Sequence, residues 1–303
     1  MRRYIVLLAL SSLLTVIHVE AQNRGVYPLG MSATNAGVTP EPGLTYANQL
    51  LFYARDTSRG PDGETVATGN NSVILAMNSF VWVSRTDILG RAKFSMSATL
   101  PISNNSLSSD AAGAISGGGG LADSYYQPFI AGWDLKRLSV RTIYGFLAPT
   151  GEFTPSATSN VGSGYWTHVV ASGQTFYLTR NNATSVSAFQ MYEFHTTQQG
   201  TAVRPGDTLD LDFSVMHTLS ARSDMRVQVG LVGYGQWQTS DKTGPNVSPL
   251  QAEARYRVNA LGFGANVLWP ERKASLGFKY FKEFSNRSTF EGYSAQISGS
   301  IGF

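Results

Sequence analysis

The sequence predicts an all-β fold: a transmembrane antiparallel β-barrel of about twelve strands, with short periplasmic turns and longer extracellular loops. Three features predict it. Apolar and polar residues alternate through most of the chain, the connections alternate between tight and long, and the tryptophans gather at segment ends. Composition agrees. Of 303 residues, 14% are charged and 12% aromatic, and 31 are glycine. Few charges with many aromatics exclude a disordered chain. A balance of 23 basic against 20 acidic residues leaves a net charge of +3, too even for a nucleic-acid footprint. The absence of cysteine excludes a disulfide scaffold, a thiolate metal site and a cysteine nucleophile.

Residues 1–21 read as a signal peptide. Met1-Arg2-Arg3 is a positive start, Tyr4 to Ile17 is apolar, and Val19-Glu20-Ala21 precedes a cut at Gln22. The apolar run is shorter than the roughly 20 residues of a spanning helix. Residues 22–42 are rich in glycine and proline (Gly25, Gly30, Gly37, Pro28, Pro40, Pro42) and have no period. They hang in the periplasm as a tail or fold into the barrel mouth as a plug. The barrel itself is residues 43–303.

Within it, Phe94, Met96, Ala98 and Leu100 alternate with Lys93, Ser95, Ser97 and Thr99. Leu209, Leu211, Phe213 and Val215 alternate with Asp210, Asp212 and Ser214. Ala254, Tyr256, Val258 and Ala260 alternate with Glu253, Arg255 and Arg257, and Leu276, Phe278 and Tyr280 with Gly277, Lys279 and Phe281. A period of two puts one set on each face of a strand. Twelve such segments span 43–57, 71–83, 91–100, 121–133, 138–148, 164–179, 183–196, 206–219, 225–238, 251–269, 274–284 and 289–303. Connections after the even-numbered segments are tight. Those after the odd ones, except the last, are long, which is the outer-membrane barrel pattern. If the apolar set meets lipid, Leu211→Arg costs about 2–4 kcal/mol of insertion and Asp212→Asn much less.

Trp82, Trp133, Trp166, Trp237 and Trp269 all fall near segment ends, where an indole suits a membrane interface. Phe303 ends the last alternating segment, a feature by which barrel-assembly machinery recognises its substrates. Outer-membrane lipid and that machinery are therefore expected partners, and the outer membrane of a Gram-negative bacterium the expected location.

About twelve tilted strands close to a backbone diameter of about 24 Å, leaving about 10 Å or less for a small solute. The candidate lumen-lining charges are Arg91, Lys93, Arg141, Arg255, Arg257 and Lys279 against Asp123, Glu193, Asp210, Asp212, Glu253 and Glu283. Six against six gives no net selectivity field. They either pair across and fill the lumen or line an open pore as opposed ladders.

Catalysis has little support. Beyond the signal peptide, the histidines are His168, His195 and His217, followed two places on by Val170, Thr197 and Leu219, so the His-x-Ser arrangement of barrel phospholipases is missing. Glu193 beside His195 is the nearest approach to a rim protease. The three histidines fall on three segments without ligand spacing, and Ser116-Gly117-Gly118-Gly119-Gly120 has no phosphate-loop spacing. No catalytic residue, metal or cofactor is expected.

Several stretches, in order, resemble the transporter family named for the meta pathway of phenol degradation. They are Tyr27-Pro28-Leu29-Gly30-Met31, Asn35 to Gly43, Gly120-Leu121-Ala122-Asp123 with Gln127-Pro128-Phe129, Ala148 to Phe153, Asn160 to Trp166, and Tyr280 to Phe284. The resemblance implies an outer-membrane barrel without catalytic residues and a link to aromatic compounds. The expectation is passive uptake of small hydrophobic or aromatic solutes. The alternatives are a structural barrel with a filled lumen and an outer-membrane hydrolase.

Overall fold

A computed structural model of the chain describes residues 25–303 apart from 89, 110–112, 156, 158, 223 and 246. The signal peptide reading at 1–21 lies outside the described residues. The strands are β1 (Gly43–Arg59), β2 (Thr65–Ile88), β3 (Ala92–Ser109), β4 (Gly113–Leu121), β5 (Ser124–Leu135), β6 (Leu138–Ala148), β7 (Thr167–Tyr177), β8 (Thr184–His195), β9 (Thr208–Ala221), β10 (Arg226–Gln238), β11 (Arg257–Trp269), β12 (Ala274–Glu283) and β13 (Thr289–Gly302).

Every neighbouring pair is antiparallel, and β1 pairs with both β2 and β13, so the sheet closes on itself. The barrel has twelve strand positions. β3 pairs with β5 over Lys93–Thr99 and with β4 over Ile102–Ser109. β4 and β5 therefore share one position, broken at Ala122 and Asp123. Closure satisfies each backbone group without an exposed edge, as a lipid environment demands.

The predicted spans hold closely, and β6 coincides with 138–148. Two long loops differ. Residues 58–70 are largely strand, with a turn closed by Gly60 and Glu64, and residues 101–120 rise as the β3–β4 hairpin. These stretches are rich in Ser, Thr, Asn and Gly, so alternation fails to show in the sequence while the backbone ladder continues. Residues 251–256 differ the other way: Pro249–Glu253 form one helical turn, α1, capped by Ser248.

Alternation sets the two faces. Leu209, Val215, Leu231, Phe263, Leu276 and Ile297 stand exposed on the outer face. Phe263 lies beside Phe278 and Tyr280 there, and Tyr280 beside Tyr293. Trp133, Trp237 and Trp269 sit at or within two residues of strand ends and Trp166 just before β7. Trp82 lies further in, because β2 runs on to Ile88. This is the outer band of a transmembrane barrel flanked by aromatic girdles.

Candidate functional site in the barrel lumen

Residues 25–42 lie inside the barrel. From Gly43, at the periplasmic start of β1, the segment climbs the inner wall of β5–β13. Low down, Arg141 donates from Nε and Nη2 to Ala36 O at 2.9 and 2.7 Å, and Gly37 N donates to Thr175 Oγ1. A Cβ at Gly37 would stand 1.9 Å from Ser139 O, so only glycine admits this approach of two backbones.

Midway, Lys279 Nζ donates to Gly30 O and Met31 O at 2.6 and 2.8 Å, and Gln296 Nε2 to Leu29 O. Asp212 accepts Gly30 N at 2.8 Å, Ser32 N at 3.0 Å and the Tyr27 hydroxyl at 2.6 Å. Burial, with the Asp212 carboxylate beside it, pushes the Tyr27 phenol well above its ordinary pKa, so it stays a donor. Higher still, Glu193 accepts Val26 N and Tyr27 N at 3.0 and 2.8 Å. Gly25 N donates to the Tyr256 hydroxyl, which also bonds Thr208.

Apolar contacts complete the seat. Tyr27 and Ala36 pack with Tyr125, Ile143, Val169 and Phe189, and Ala33 packs with Val232, Val258 and Phe281. The charges are thus spent on orienting a polypeptide whose backbone offers the complementary donors and acceptors.

Six of the predicted lumen residues, Arg141, Glu193, Asp210, Asp212, Lys279 and Glu283, face inward. Asp210 accepts Gln236 Nε2 at 2.7 Å, and Glu283 holds Tyr53, Tyr234, Asn286 and the Gly292 N–H. Asp123 faces the loops instead, accepting Gly151 N, Ser163 N and Ser163 Oγ. Lys93 pairs with Asp87 at 2.5 Å on the periplasmic rim, and Arg91 is exposed in the same turn with φ 84°.

Three positions are corrected. Glu253 lies in α1, exposed. Arg255 and Arg257 are also exposed, with Arg255 paired to Asp241 at 2.9 Å, while Tyr256, Val258 and Ala260 point inward. The register of β11 is thus the reverse of the prediction. Polar-inward is the rule for a water-filled lumen, but this stretch packs against a peptide, so its inner face is apolar and its arginines stand outside near the extracellular rim.

Sequence reasoning also missed the inner face of β1 and β2. Gln49 and Tyr53 point inward, to Gln296 and Glu283, so Leu51 between them does too. Leu51 pairs with Leu75, Tyr53 with Val73, Gln49 with Met77 and Thr45 with Val81. Apart from Met77, which is buried, this apolar strip is not closed over by the N-terminal segment. Leu51, Tyr53, Val73, Leu75 and Val81 remain partly accessible, whereas inward side chains of β7–β9 such as Thr175, Phe189 and Asp212 are buried. Towards the periplasm the strip meets a cavity of about 220 Å³ between Met31 and Thr34 on one side and Gln49, Ser79, Ser298 and Ser300 on the other. The signal available in the sequence was that β1 and β2 carry apolar residues on both faces.

The family model described as the MetA pathway of phenol degradation matches residues 54–298. The chain belongs to this family. Among solved structures, the COG4313 outer membrane channel from Pseudomonas putida F1 is similar with a TM-score of 0.73 at 12% identity, over 89% of this chain and 98% of that one. The beta domain of the Bordetella autotransporter BrkA is similar with a TM-score of 0.51 at 10% identity, over 87% of this chain and 100% of that one. No curated protein matches significantly. This member of the phenol-degradation family is an outer-membrane β-barrel of the Gram-negative type.

Proposed function

We propose that the protein is a passive outer-membrane channel for small hydrophobic and aromatic solutes. The carrying observation is the partly accessible apolar set Leu51, Val73, Leu75 and Val81 on the inner wall of β1 and β2, away from the strands that seat residues 25–42. A water-filled pore for ions or sugars gains nothing from such a strip. An apolar solute gains from it, because it exchanges water for hydrocarbon surface along the route. The likeness to an outer-membrane channel supports the reading, as does the family's description.

The segment 25–42 acts as a resident plug that narrows the bore to one side. Hydrolysis has no place in this arrangement. His195 Nε2 lies 3.4 Å from Glu193, but both are buried, and Glu193 is occupied by the backbone of Val26 and Tyr27. Phe303 stands exposed on the outer face beyond β13, where barrel-assembly machinery would meet it.

Influx of toluene and of a disaccharide into vesicles holding the purified barrel tests the reading. Toluene should enter faster than in empty vesicles and the disaccharide should not. Leu51→Glu with Leu75→Glu should abolish the toluene advantage. Equal toluene entry with and without the barrel would leave the filled, structural barrel as the answer.

A further inference from the structure

We propose that the periplasmic rim of the barrel is a docking ring for phospholipids whose headgroup carries a net negative charge, such as phosphatidylglycerol. The five tight turns, at 84–93, 134–137, 178–183, 220–226 and 270–273, hold ten basic residues against four acidic ones. The rest of the chain carries thirteen basic against sixteen acidic residues, so the positive surplus belongs to this rim. The four acids do not cancel it. Asp87 is paired with Lys93, and Asp134 accepts the Ser139 hydroxyl. Asp224 and Glu271 each share a turn with two basic residues.

One couple recurs in all five turns. An outward apolar residue leads into each turn and is followed within three positions by Lys or Arg: Trp82 by Arg85, Leu135 by Lys136, Leu178 by Arg180, Leu219 by Arg222 and Trp269 by Arg272. Trp82 and the three leucines are exposed, and so are the five basic side chains. At a membrane boundary the apolar member meets acyl chains, while the basic head on its long stem stands among the headgroups. The headgroup layer is about 5–8 Å thick on each side of the hydrocarbon, which short turns and long side chains reach across.

The distribution around the barrel decides the occupant. The turns fill five of the six strand junctions on this side of a closed wall, so the charge faces outward all round. A lipid annulus meets every turn at once. An acidic protein docks on one side and leaves the other turns unanswered. A funnel drawing anions into the bore has no use for outward leucines. Among lipids, a zwitterionic headgroup offsets its phosphate with its own ammonium, whereas an anionic one leaves the phosphate to the guanidinium and ammonium groups of the turns.

The test reads the lipid beside these turns. Trp166→Phe with Trp237→Phe removes the extracellular tryptophans and leaves Trp82, Trp133 and Trp269 near the periplasmic rim. Quenching of this full-length barrel in liposomes by brominated phosphatidylglycerol and by brominated phosphatidylcholine of equal chain length gives their relative affinity. Phosphatidylglycerol should be preferred about fivefold, the gain from about one basic group per lipid, and the preference should fade in about 1 M salt. Lys136→Gln, Arg180→Gln, Arg222→Gln and Arg272→Gln together should remove most of it. Four matching substitutions at the extracellular rim, Arg204→Gln, Arg255→Gln, Arg257→Gln and Arg287→Gln, should leave it unchanged. Heat-modifiable migration on gels checks that each variant is folded. Equal quenching by the two lipids in the unsubstituted turns would overturn the proposal and leave an acidic protein as the partner. A preference that survives the four turn substitutions, or that the extracellular ones abolish equally, would overturn it too. The ring stands apart from the uptake reading: the Leu51→Glu, Leu75→Glu barrel should keep the preference.

Discussion

Replacing Asp212 by asparagine loosens the N-terminal segment without touching the lipid face. The carboxylate accepts three donors from residues 27–32, at 2.6 to 3.0 Å. Asparagine keeps one acceptor oxygen and turns an NH2 towards the remaining donors, so at least one bond is lost and the others become neutral. A bond to a charged group is worth about 1.5–3 kcal/mol and a neutral one about 0.5–1.5. The sum is about 3.5–6 kcal/mol, or a few hundred-fold to about ten thousand-fold more detached segment at about 1.4 kcal/mol per tenfold. The chain has no cysteine, so a single Thr34→Cys reports detachment through its maleimide reaction rate in reconstituted barrels. That rate should rise with the detached fraction, and conductance in planar bilayers should rise with it. Barrel yield should stay near the parent's. An unchanged labelling rate would refute the assignment of Asp212 as the segment's anchor.

Other perturbations follow from the same geometry. Gly37→Val should unseat the lower part of the segment, seen as faster Thr34→Cys labelling, because its side chain collides with Ser139 O. Tyr27 is held neutral, with its pKa raised on burial, so its contribution is intact below the ordinary value of about 10 and fades as pH rises past it. Attachment should weaken above about pH 10, and Tyr27→Phe should remove that alkaline weakening. Arg255→Glu with Arg257→Glu should leave the reversal potential under a salt gradient unaltered, since both side chains lie outside the bore. His195→Ala should leave toluene entry unchanged, and no lipid or peptide hydrolysis should be found in either form.

The barrel was legible because lipid imposes one rule on every outward position. Leu209, Leu211, Phe213 and Val215 obey it visibly, and so do the tight turns between strands. The inner face obeys no such rule here. Asp212 and Lys279 read as pore charges, since nothing in their spacing shows that a backbone 180 to 249 residues away will take their hydrogen bonds. On β11 the same ignorance inverted the register. Tyr256 and Val258 looked like lipid contacts until the peptide they pack against was in place. Leu51 and Leu75 were hidden for a related reason. Apolar residues on both faces of a strand blur the alternation by which strands are read.

The seat of the N-terminal segment also fixes an order of events in assembly. Residues 25–37 are made and exported ahead of the strands that anchor them, which run from β6 to β13. Tyr27 must find Glu193 at a separation of 166 residues, and Gly30 must find Lys279 at 249. Meanwhile β1, which begins only six residues after Gly37, has to join β13 to close the wall. If the wall closes first, the segment must thread upward through a finished ring. If the segment docks first, it acts as a mandrel around which the later strands curl. In the second order, truncating residues 25–37 would slow closure itself. The time course of barrel folding, rather than its endpoint, is then where the loss of this segment shows.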